Sequence, residues 1–214
     1  VGGANASVGT VTFSGVVSGA NTNTISKTST GTLIFAGANT YSGGTVVADG
    51  TLTLSGSGTV GATNSGVTVS GGTLNLGGLS RTNGAFSMSS GVLTNGTLSA
   101  SSYALTDAGT IYAVLAGSGA LTKSGAGTAT LTNANTYSGG TTVNAGTLTL
   151  SGSGTLGATN GNLSIGAGTV DLGGLSRTNG AFTLDSGSLT NGTLTASSYG
   201  SVSYTHLRAH ETEA

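Results

Sequence analysis

The sequence predicts an all-β protein, a right-handed parallel β-helix (β-solenoid) with about 20 residues per coil. Three observations predict this fold class. A long unit is repeated along the chain, apolar and polar residues alternate over short stretches, and glycine-containing dipeptides separate those stretches. One coil of this length cannot bury its apolar face alone, whereas stacked coils share a continuous core.

The composition fits a β protein with many tight turns. Of the 214 residues 41 are glycine, none is proline or cysteine, and only 5% are charged. A disordered linker would lack apolar surface, but 36% of these residues are hydrophobic. The net charge of −1 gives no electrostatic attraction to nucleic acid. No stretch is long and apolar enough to predict a membrane-spanning helix.

The repeated unit is 96 residues long. Residues 77–86, GGLSRTNGAF, recur without change at residues 173–182, and NTYSGGT at Asn39 recurs with the same offset at Asn135. Within the unit, apolar anchors follow one another at steps of about 20 residues, the length of one coil. These anchors are Leu52, Leu74, Leu93, Ile111, Ala129 and Leu148.

Strict alternation predicts the strands. The clearest stretches are residues 51–54, 67–69, 74–76 and 86–88, in which Leu, Val, Phe and Met fall on one face and Thr, Ser and Asn on the other. Asn-Gly dipeptides are also the strongest short hairpin signal, so an antiparallel sandwich is the rival fold. We prefer the solenoid because the coil period explains more of the chain. The dipeptides begin at Asn83, Asn95, Asn179 and Asn191.

Two segments share one longer pattern. ISKTSTGTLIFAGANTYSGGTVVADGTLTL begins at Ile25, and GALTKSGAGTATLTNANTYSGGTTVNAGTLTL begins at Gly119. Both contain a lysine, small residues with glycine, a short strand, Asn-Thr-Tyr-Ser-Gly-Gly-Thr, a second strand and Gly-Thr-Leu. The first departs at Ser29, where the second has Gly125. This pattern resembles the autotransporter-associated β-strand repeat, also called the passenger-associated transport repeat.

The resemblance implies a passenger that an outer-membrane β-barrel translocator exports to the cell surface, with the repeat assisting folding and transport. We therefore expect a structural or presenting segment of an autotransporter passenger, with the translocator in another part of the protein. The alternative is an adhesin module that binds a surface glycan, a neighbouring passenger or a neighbouring cell. The first ten residues lack the basic and apolar regions of a signal peptide, so we expect an internal fragment.

We expect no enzyme, no cofactor, and no catalytic, cofactor-binding or metal-binding residues. Gly56 and Gly152 each begin a G-x-G-x-x-G pattern, but the residues that follow start no helix to hold a pyrophosphate. Glycosidase chemistry needs two acids that face one site, and no acid before residue 201 is matched by an acid in the other copy. These acids are Asp49, Asp107, Asp171 and Asp185.

Repeated basic and aromatic residues are the remaining candidates for binding. An anionic glycan could bind basic side chains, although charged residues in turns also discourage association of sheet edges. Sugars could stack on the repeated tyrosines, but we favour tyrosines that cover a turn of the coil. The basic residues are Lys27, Lys123, Arg81 and Arg177, and the tyrosines are Tyr41 and Tyr137.

Repeated asparagines and outward threonines have structural interpretations. We expect Asn39, Asn83 and Asn95, with their copies, to form internal side-chain ladders at turns. Rows of outward threonines resemble the flat arrays of ice-binding solenoids, but the coils vary too much for one long, regular face.

The expected organisation has three parts. Residues 1–24 are a less regular start of the solenoid, residues 25–200 contain the two 96-residue units, and residues 201–214 form an atypical tail. The tail contains both histidines and both glutamates of the chain. His206 and His210 have a spacing that could bind a metal, but the abrupt change of composition favours a foreign or disordered tail.

Overall fold

The structure is a computed structural model that describes residues 9–19 and 24–200. This part of the chain contains β-strands and no helix, and therefore no helix that could cross a membrane. The strands are β1 (Thr10–Phe13), β2 (Ile25–Lys27), β3 (Thr32–Phe35), β4 (Thr45–Val47), β5 (Thr51–Leu54), β6 (Val67–Leu105), β7 (Gly109–Ile111), β8 (Val114–Ala116), β9 (Ala120–Lys123), β10 (Thr128–Leu131), β11 (Thr141–Val143), β12 (Thr147–Leu150), β13 (Leu163–Ile165), β14 (Thr169–Leu184) and β15 (Ser188–Tyr199).

Successive turns of the chain stack in parallel as a β-solenoid of about 10 turns, with roughly 19 residues per turn. The step varies because the connections differ in length. Thr32 pairs with Thr51, 19 positions later, whereas Thr51 pairs with Thr73, 22 positions later. The predicted solenoid is confirmed.

The antiparallel alternative is wrong, since the strand pairs within the described residues are parallel. The Asn-Gly dipeptides lie inside the long strands β6, β14 and β15, where they bend the chain from one face of the solenoid to the next. β6 shows this best, because its 39 residues stay extended through about two turns. A hairpin would have reversed the chain at these positions.

Two long ladders and a shorter one run along the solenoid. β1, β3, β5, β6, β7, β10, β12, β14 and β15 form the first ladder, and β2, β4, β6, β9, β11, β13 and β14 pair along the second. The third consists of β8 on β6 and the later part of β15 on β14. The solenoid therefore has three faces, and the corners between them carry the polar residues considered below.

The core lies on the axis of the solenoid, where the predicted inward residues stack. Leu33, Leu52 and Leu74 are registered partners in consecutive strands, and Leu52 and Leu74 are fully buried. Burying one such side chain contributes about 1.5–3 kcal/mol. The six predicted anchors, from Leu52 to Leu148, are all in the buried core. Residues 201–214, the predicted tail, lie outside the described residues.

Candidate functional site

The repeated polar residues meet at one corner of the solenoid, between β10 and β11 (residues 132–140) and again between β3 and β4 (residues 36–44). We call each of these segments a repeat corner. At each repeat corner the chain passes from a strand of the first ladder to a strand of the second. The chain turns here with polar side chains directed inward. These side chains form hydrogen bonds with backbone groups that have no partner in the strand ladders.

Asn135 joins three successive turns at the second repeat corner. Its Oδ1 accepts a hydrogen bond of 2.8 Å from the Leu115 amide of the preceding turn, and its Nδ2 donates one of 3.1 Å to the Thr155 carbonyl of the following turn. The Thr155 hydroxyl returns a bond of 2.8 Å to the Asn135 carbonyl. Both ends of the buried amide are thus hydrogen-bonded to neighbouring turns.

Asn39 makes the same three contacts at the first repeat corner. Its Oδ1 accepts from the Val17 amide at 2.8 Å, its Nδ2 donates to the Thr59 carbonyl at 2.8 Å, and the Thr59 hydroxyl donates to the Asn39 carbonyl at 2.7 Å. Asn39 and Asn135 are therefore internal, as predicted, but their side chains bond to the backbone of neighbouring turns and form no asparagine ladder.

The two repeated tyrosines are buried beneath these corners. The Tyr137 hydroxyl shares a hydrogen bond of 2.7 Å with Thr141 Oγ1, and Tyr41 shares one of 2.6 Å with Thr45. Burial raises the pKa of Tyr41 to about 12 and raises that of Tyr137 as well. Neither ring reaches the surface, so the suggestion that these tyrosines stack on sugars is wrong.

Lys27 and Lys123 are buried as well, which corrects the expectation that they decorate turns at the surface. The Lys123 ammonium donates to the carbonyls of Gly125 and Ala145, and the Lys27 ammonium donates to those of Ser29 and Asp49. Burial lowers both lysine pKa values, and the nearby charges of Asp107 and Asp49 partly oppose this effect. An anionic glycan could not reach these ammonium groups.

Arg81 and Arg177 hold the glycine-rich loops in place. Arg81 Nε donates to the Gly58 carbonyl at 2.6 Å and Nη2 to the Gly56 carbonyl at 3.2 Å, while Arg177 Nε donates to the Gly154 carbonyl at 2.6 Å. Both side chains are half-buried. These bonds to backbone oxygens support a structural role in a turn.

The G-x-G-x-x-G pattern is a packed turn. A Cβ at Gly58 would overlap the carbonyl oxygen of Phe35 in the preceding turn, so only glycine fits there. The Gly58 amide donates to the Ser55 carbonyl at 2.8 Å, and no helix follows. This part of the chain therefore lacks the helix N-terminus on which a dinucleotide fingerprint depends.

The other repeated asparagines divide into a buried and an exposed pair. Asn83 and Asn179 are buried, and Asn179 Nδ2 donates to the Gly161 carbonyl at 3.2 Å. Asn95 and Asn191 are exposed and have positive φ values of 56° and 52°. Their Nδ2 atoms donate to the side-chain oxygens of the residues 20 positions earlier, at 3.2 and 3.0 Å. The internal ladder expected at Asn95 is therefore on the surface.

The aspartates of the described residues form no paired site. Asp49, Asp107 and Asp171 each accept a hydrogen bond from a nearby glycine amide, at 2.6, 2.5 and 2.8 Å respectively. Asp185 follows the end of β14. Over residues 9–19 and 24–200, no group of three or more metal-ligating His, Cys, Asp or Glu side chains occurs.

One shallow concavity of about 450 Å³ lies beside the last two described turns. Its walls are uncharged side chains and backbone from a loop and two strands, so it offers hydroxyl and amide groups without a catalytic pair. The lining residues are Thr159, Asn160, Asn162, Thr178, Asn179, Gly180, Ala181, Thr195, Ala196 and Ser197.

Comparison with known families gives a match over both repeat corners. A family model, the passenger-associated transport repeat, matches residues 25–54 and 121–150. These two stretches are similar to the passenger-associated transport repeat. The resemblance noted in the sequence is thereby confirmed. No curated protein and no solved structure matches the chain.

Each passenger-associated transport repeat spans one repeat corner and its flanking strands. The second match runs from β9 to the end of β12 and contains Lys123, Asn135 and Thr141, all buried polar residues. Its copy contains Lys27, Asn39 and Thr45 in the same roles. Each matched stretch thus includes the buried hydrogen bonds of one corner. Sequence reasoning missed Thr45 and Thr141, although each follows a repeated tyrosine by four positions.

Proposed function

We propose that this chain is a structural and presenting segment of an autotransporter passenger, without enzymatic activity, in which the repeat assists folding during export to the cell surface. The observation that carries the proposal is the position of both family matches over a repeat corner. The partner during export is an outer-membrane β-barrel translocator. The solenoid itself would hold other parts of the passenger away from the membrane.

The corner hydrogen bonds support a role in progressive folding. Asn135 accepts from Leu115 in the preceding turn and donates to Thr155 in the following turn, so each completed corner is a template for the next one. Each buried hydrogen bond of this kind contributes about 1 kcal/mol. A chain that leaves a pore can gain this stabilisation turn by turn, because each turn contacts only its neighbours.

A display experiment tests the proposal. The chain is placed between a signal peptide and an outer-membrane translocator barrel in a Gram-negative host, and protease-resistant passenger is measured on intact cells. The Asn39→Ala/Asn135→Ala variant should reduce display several-fold, since both corners lose their links between turns. Thr40→Ala/Thr136→Ala is the matched control, because these exposed side chains lie in the same corners.

We expect the control to be displayed like the unmodified chain. Retention of the unmodified chain in the periplasm, or equal display of the asparagine variant and the control, would contradict the proposal. Western blots of the periplasmic fraction distinguish failed export from failed expression.

Adhesion is the second candidate function, and the uncharged concavity beside the last turns favours it over a role for the buried tyrosines. Its lining is uncharged and mainly apolar, with the hydroxyl and amide groups of Thr195 and Asn160 among it, and a neutral ligand such as a glycan is the class that it would accept. The same displayed cells provide the readout. Glycan binding or cell aggregation that is lost on Asn160→Ala and Thr195→Ala would support adhesion, and its absence on a broad glycan array would argue against it.

A further inference from the structure

The chain contains two lysines, and both lie at equivalent positions inside the solenoid. Lys27 is the last residue of β2 and Lys123 is the last residue of β9. Only 5% and 0% of their surfaces are exposed. An ammonium group is costly to bury unless hydrogen-bond acceptors surround it. Each of these two positions therefore needs a local structure that compensates for the cost.

Two loops from successive turns enclose the Lys123 ammonium. The first loop joins β9 to β10, and the second joins β11 to β12 in the following turn. The Asn144 amide donates to the Lys123 carbonyl at 2.8 Å, and the Thr147 amide donates to the Gly127 carbonyl at 3.2 Å. These two hydrogen bonds hold the second loop against the first at both of its ends.

The ammonium donates to one carbonyl of each loop. Lys123 Nζ donates to the Gly125 carbonyl of the first loop, and to the Ala145 carbonyl of the second loop at 3.4 Å. Gly146 has a φ of 64°, and a Cβ at this position would overlap the Gly125 carbonyl and lie 2.7 Å from the ammonium nitrogen. Glycine is thus required both by the backbone conformation and by the space that the ammonium occupies.

The same arrangement surrounds the Lys27 ammonium one unit earlier. Its Nζ donates to the Ser29 carbonyl, to the Asp49 carbonyl at 3.1 Å and to the Ser29 hydroxyl at 3.4 Å. Gly50, with a φ of 60°, occupies the place of Gly146. An ammonium group has three donors, and the Lys27 ammonium therefore has an acceptor for each of them.

Carbonyl oxygens, and not a fixed acid, are the feature that the two sites share. The carboxylate that attracts Lys27 belongs to Asp49 of the following turn, whereas the one that attracts Lys123 belongs to Asp107 of the preceding turn. Neither acid has an acidic counterpart 96 positions away. The negative charge thus approaches from opposite sides, while the carbonyl contacts are the same.

We propose that each matched stretch contains a binding site for a primary alkylammonium ion, with the lysine of that stretch as its built-in ligand. Shortening the lysine leaves the carbonyls without their cation, and the site then binds a free alkylammonium ion of matching length. We call this site the ammonium cage. It consists of residues 124–127 and 144–146 in the second matched stretch and of residues 28–31 and 48–50 in the first.

The cage joins successive turns at a second place in each matched stretch. Ala145 follows Lys123 by 22 positions, so the cage is complete only when the next turn is in place. Asn135 links neighbouring turns at the repeat corner, whereas the ammonium links them at the corner where β9 and β11 end. One matched stretch therefore joins its turns at two corners of the solenoid.

Chemical rescue of a shortened lysine tests the proposal. The atoms that Lys123→Ala removes correspond to n-propylammonium. We expect this substitution to lower the melting midpoint of the purified chain by about 10 °C. Propylammonium chloride at about 100 mM should restore about half of that loss, because it binds the folded state alone. n-Propanol, which lacks the charge, and tetramethylammonium, which lacks N–H donors, should each restore less than about a fifth.

The matched control is Leu121→Ala, because Leu121 is buried in the same strand two positions earlier. Its substitution leaves an apolar cavity, so propylammonium should stabilise this variant no more than n-propanol does. The proposal would be overturned if propylammonium failed to stabilise Lys123→Ala, if n-propanol stabilised it equally, or if propylammonium rescued both variants alike.

A measurement on the unmodified chain covers the case in which Lys123→Ala does not fold. Because the chain has two lysines, an isotope label on lysine Nζ gives two signals in a nitrogen-correlated NMR spectrum. Both should be ammonium signals that exchange slowly with water and show couplings through hydrogen bonds to the carbonyl carbons of Ser29 and Gly125. Signals that exchange as fast as those of free lysine would overturn the proposal. The purified chain is used throughout, so these outcomes do not depend on whether the chain is exported.

Discussion

At the scale of single residues, polar side chains in the core fix the arrangement of the turns. Lys27, Asn39 and Thr45, with their copies, are buried, and each bonds to a specific backbone group or side chain. Such groups are costly to bury unless every bond is made, so they disfavour other registers. Leucine stacks alone would tolerate a shift between turns more easily.

The buried tyrosines should make stability depend on alkaline pH. The pKa of Tyr41 is raised to about 12 by burial, so the folded chain keeps a proton that the unfolded chain releases near pH 10. The contribution of Tyr41 to the free energy of unfolding is therefore fully present below pH 10. It decreases between pH 10 and 12 by up to about 3 kcal/mol, which corresponds to a shift of two pKa units. Thermal melting monitored by circular dichroism across this range measures the effect.

Phenylalanine variants separate this effect from general alkaline damage. Tyr41→Phe/Tyr137→Phe should be less stable at pH 8, because two hydrogen bonds are lost, but should change less between pH 10 and 12. The half-exposed Tyr112 provides the control, since Tyr112→Phe should keep the original pH profile. A parallel decline in all three proteins would contradict the assignment.

The buried lysines act in the opposite direction, since their lowered pKa values increase stability as pH rises towards 10.5.

The burial of the two lysines could have been predicted from the sequence. Lys123 follows Leu121 by two positions, and Lys27 follows Ile25 in the same way, so alternation alone placed both lysines on the inward face. A prior expectation that lysines are exposed overrode that pattern.

At the scale of elements, alternation predicted which residues face the core. The anchor Leu74 and its neighbour Leu76 are fully buried in β6, as the pattern indicated. The pairing register was less predictable, because connections of different length give steps of 17 to 22 residues between partners. The Asn-Gly dipeptides gave the wrong element type. The positive φ of Asn95 and Asn191 fits a bend between parallel faces as well as a hairpin, and the chain bends at Asn83 and Asn179 without a positive φ.

Charge placed on the two faces of one ladder should have very different effects. Leu74→Asp puts a carboxylate among stacked leucines, and we expect it to lower the free energy of unfolding by several kcal/mol, about 3–5 kcal/mol. Thr53→Asp lies on the outward face of β5 and should cost less than about 1 kcal/mol. Urea denaturation monitored by circular dichroism compares them, and equal losses would contradict the assigned faces.

At the scale of the whole molecule, the solenoid is a one-dimensional stack. Each turn contacts the turns before and after it, so stability is a sum of local terms and of contacts between neighbours. The two outermost turns have one neighbour each among the described residues, and β15 accordingly contains mostly exposed residues. The stack should therefore open first at its ends.

Hydrogen exchange measured by mass spectrometry should reveal this gradient. In dilute solution, amides of β7, β10 and β12 near the middle should exchange slowest, and those of β1 and β15 fastest. Uniform protection from β1 to β15 in dilute solution would contradict a stack with local stability.

The direction of the ladder hydrogen bonds also determines how the molecule responds to force. Strands lie across the axis, so the bonds between turns point along it, and tension applied to the two ends of the chain loads one turn at a time. Peeling one turn of roughly 19 residues releases about 60 Å of extended chain. A solenoid pulled by the two ends of its chain would therefore lengthen turn by turn, in many small steps.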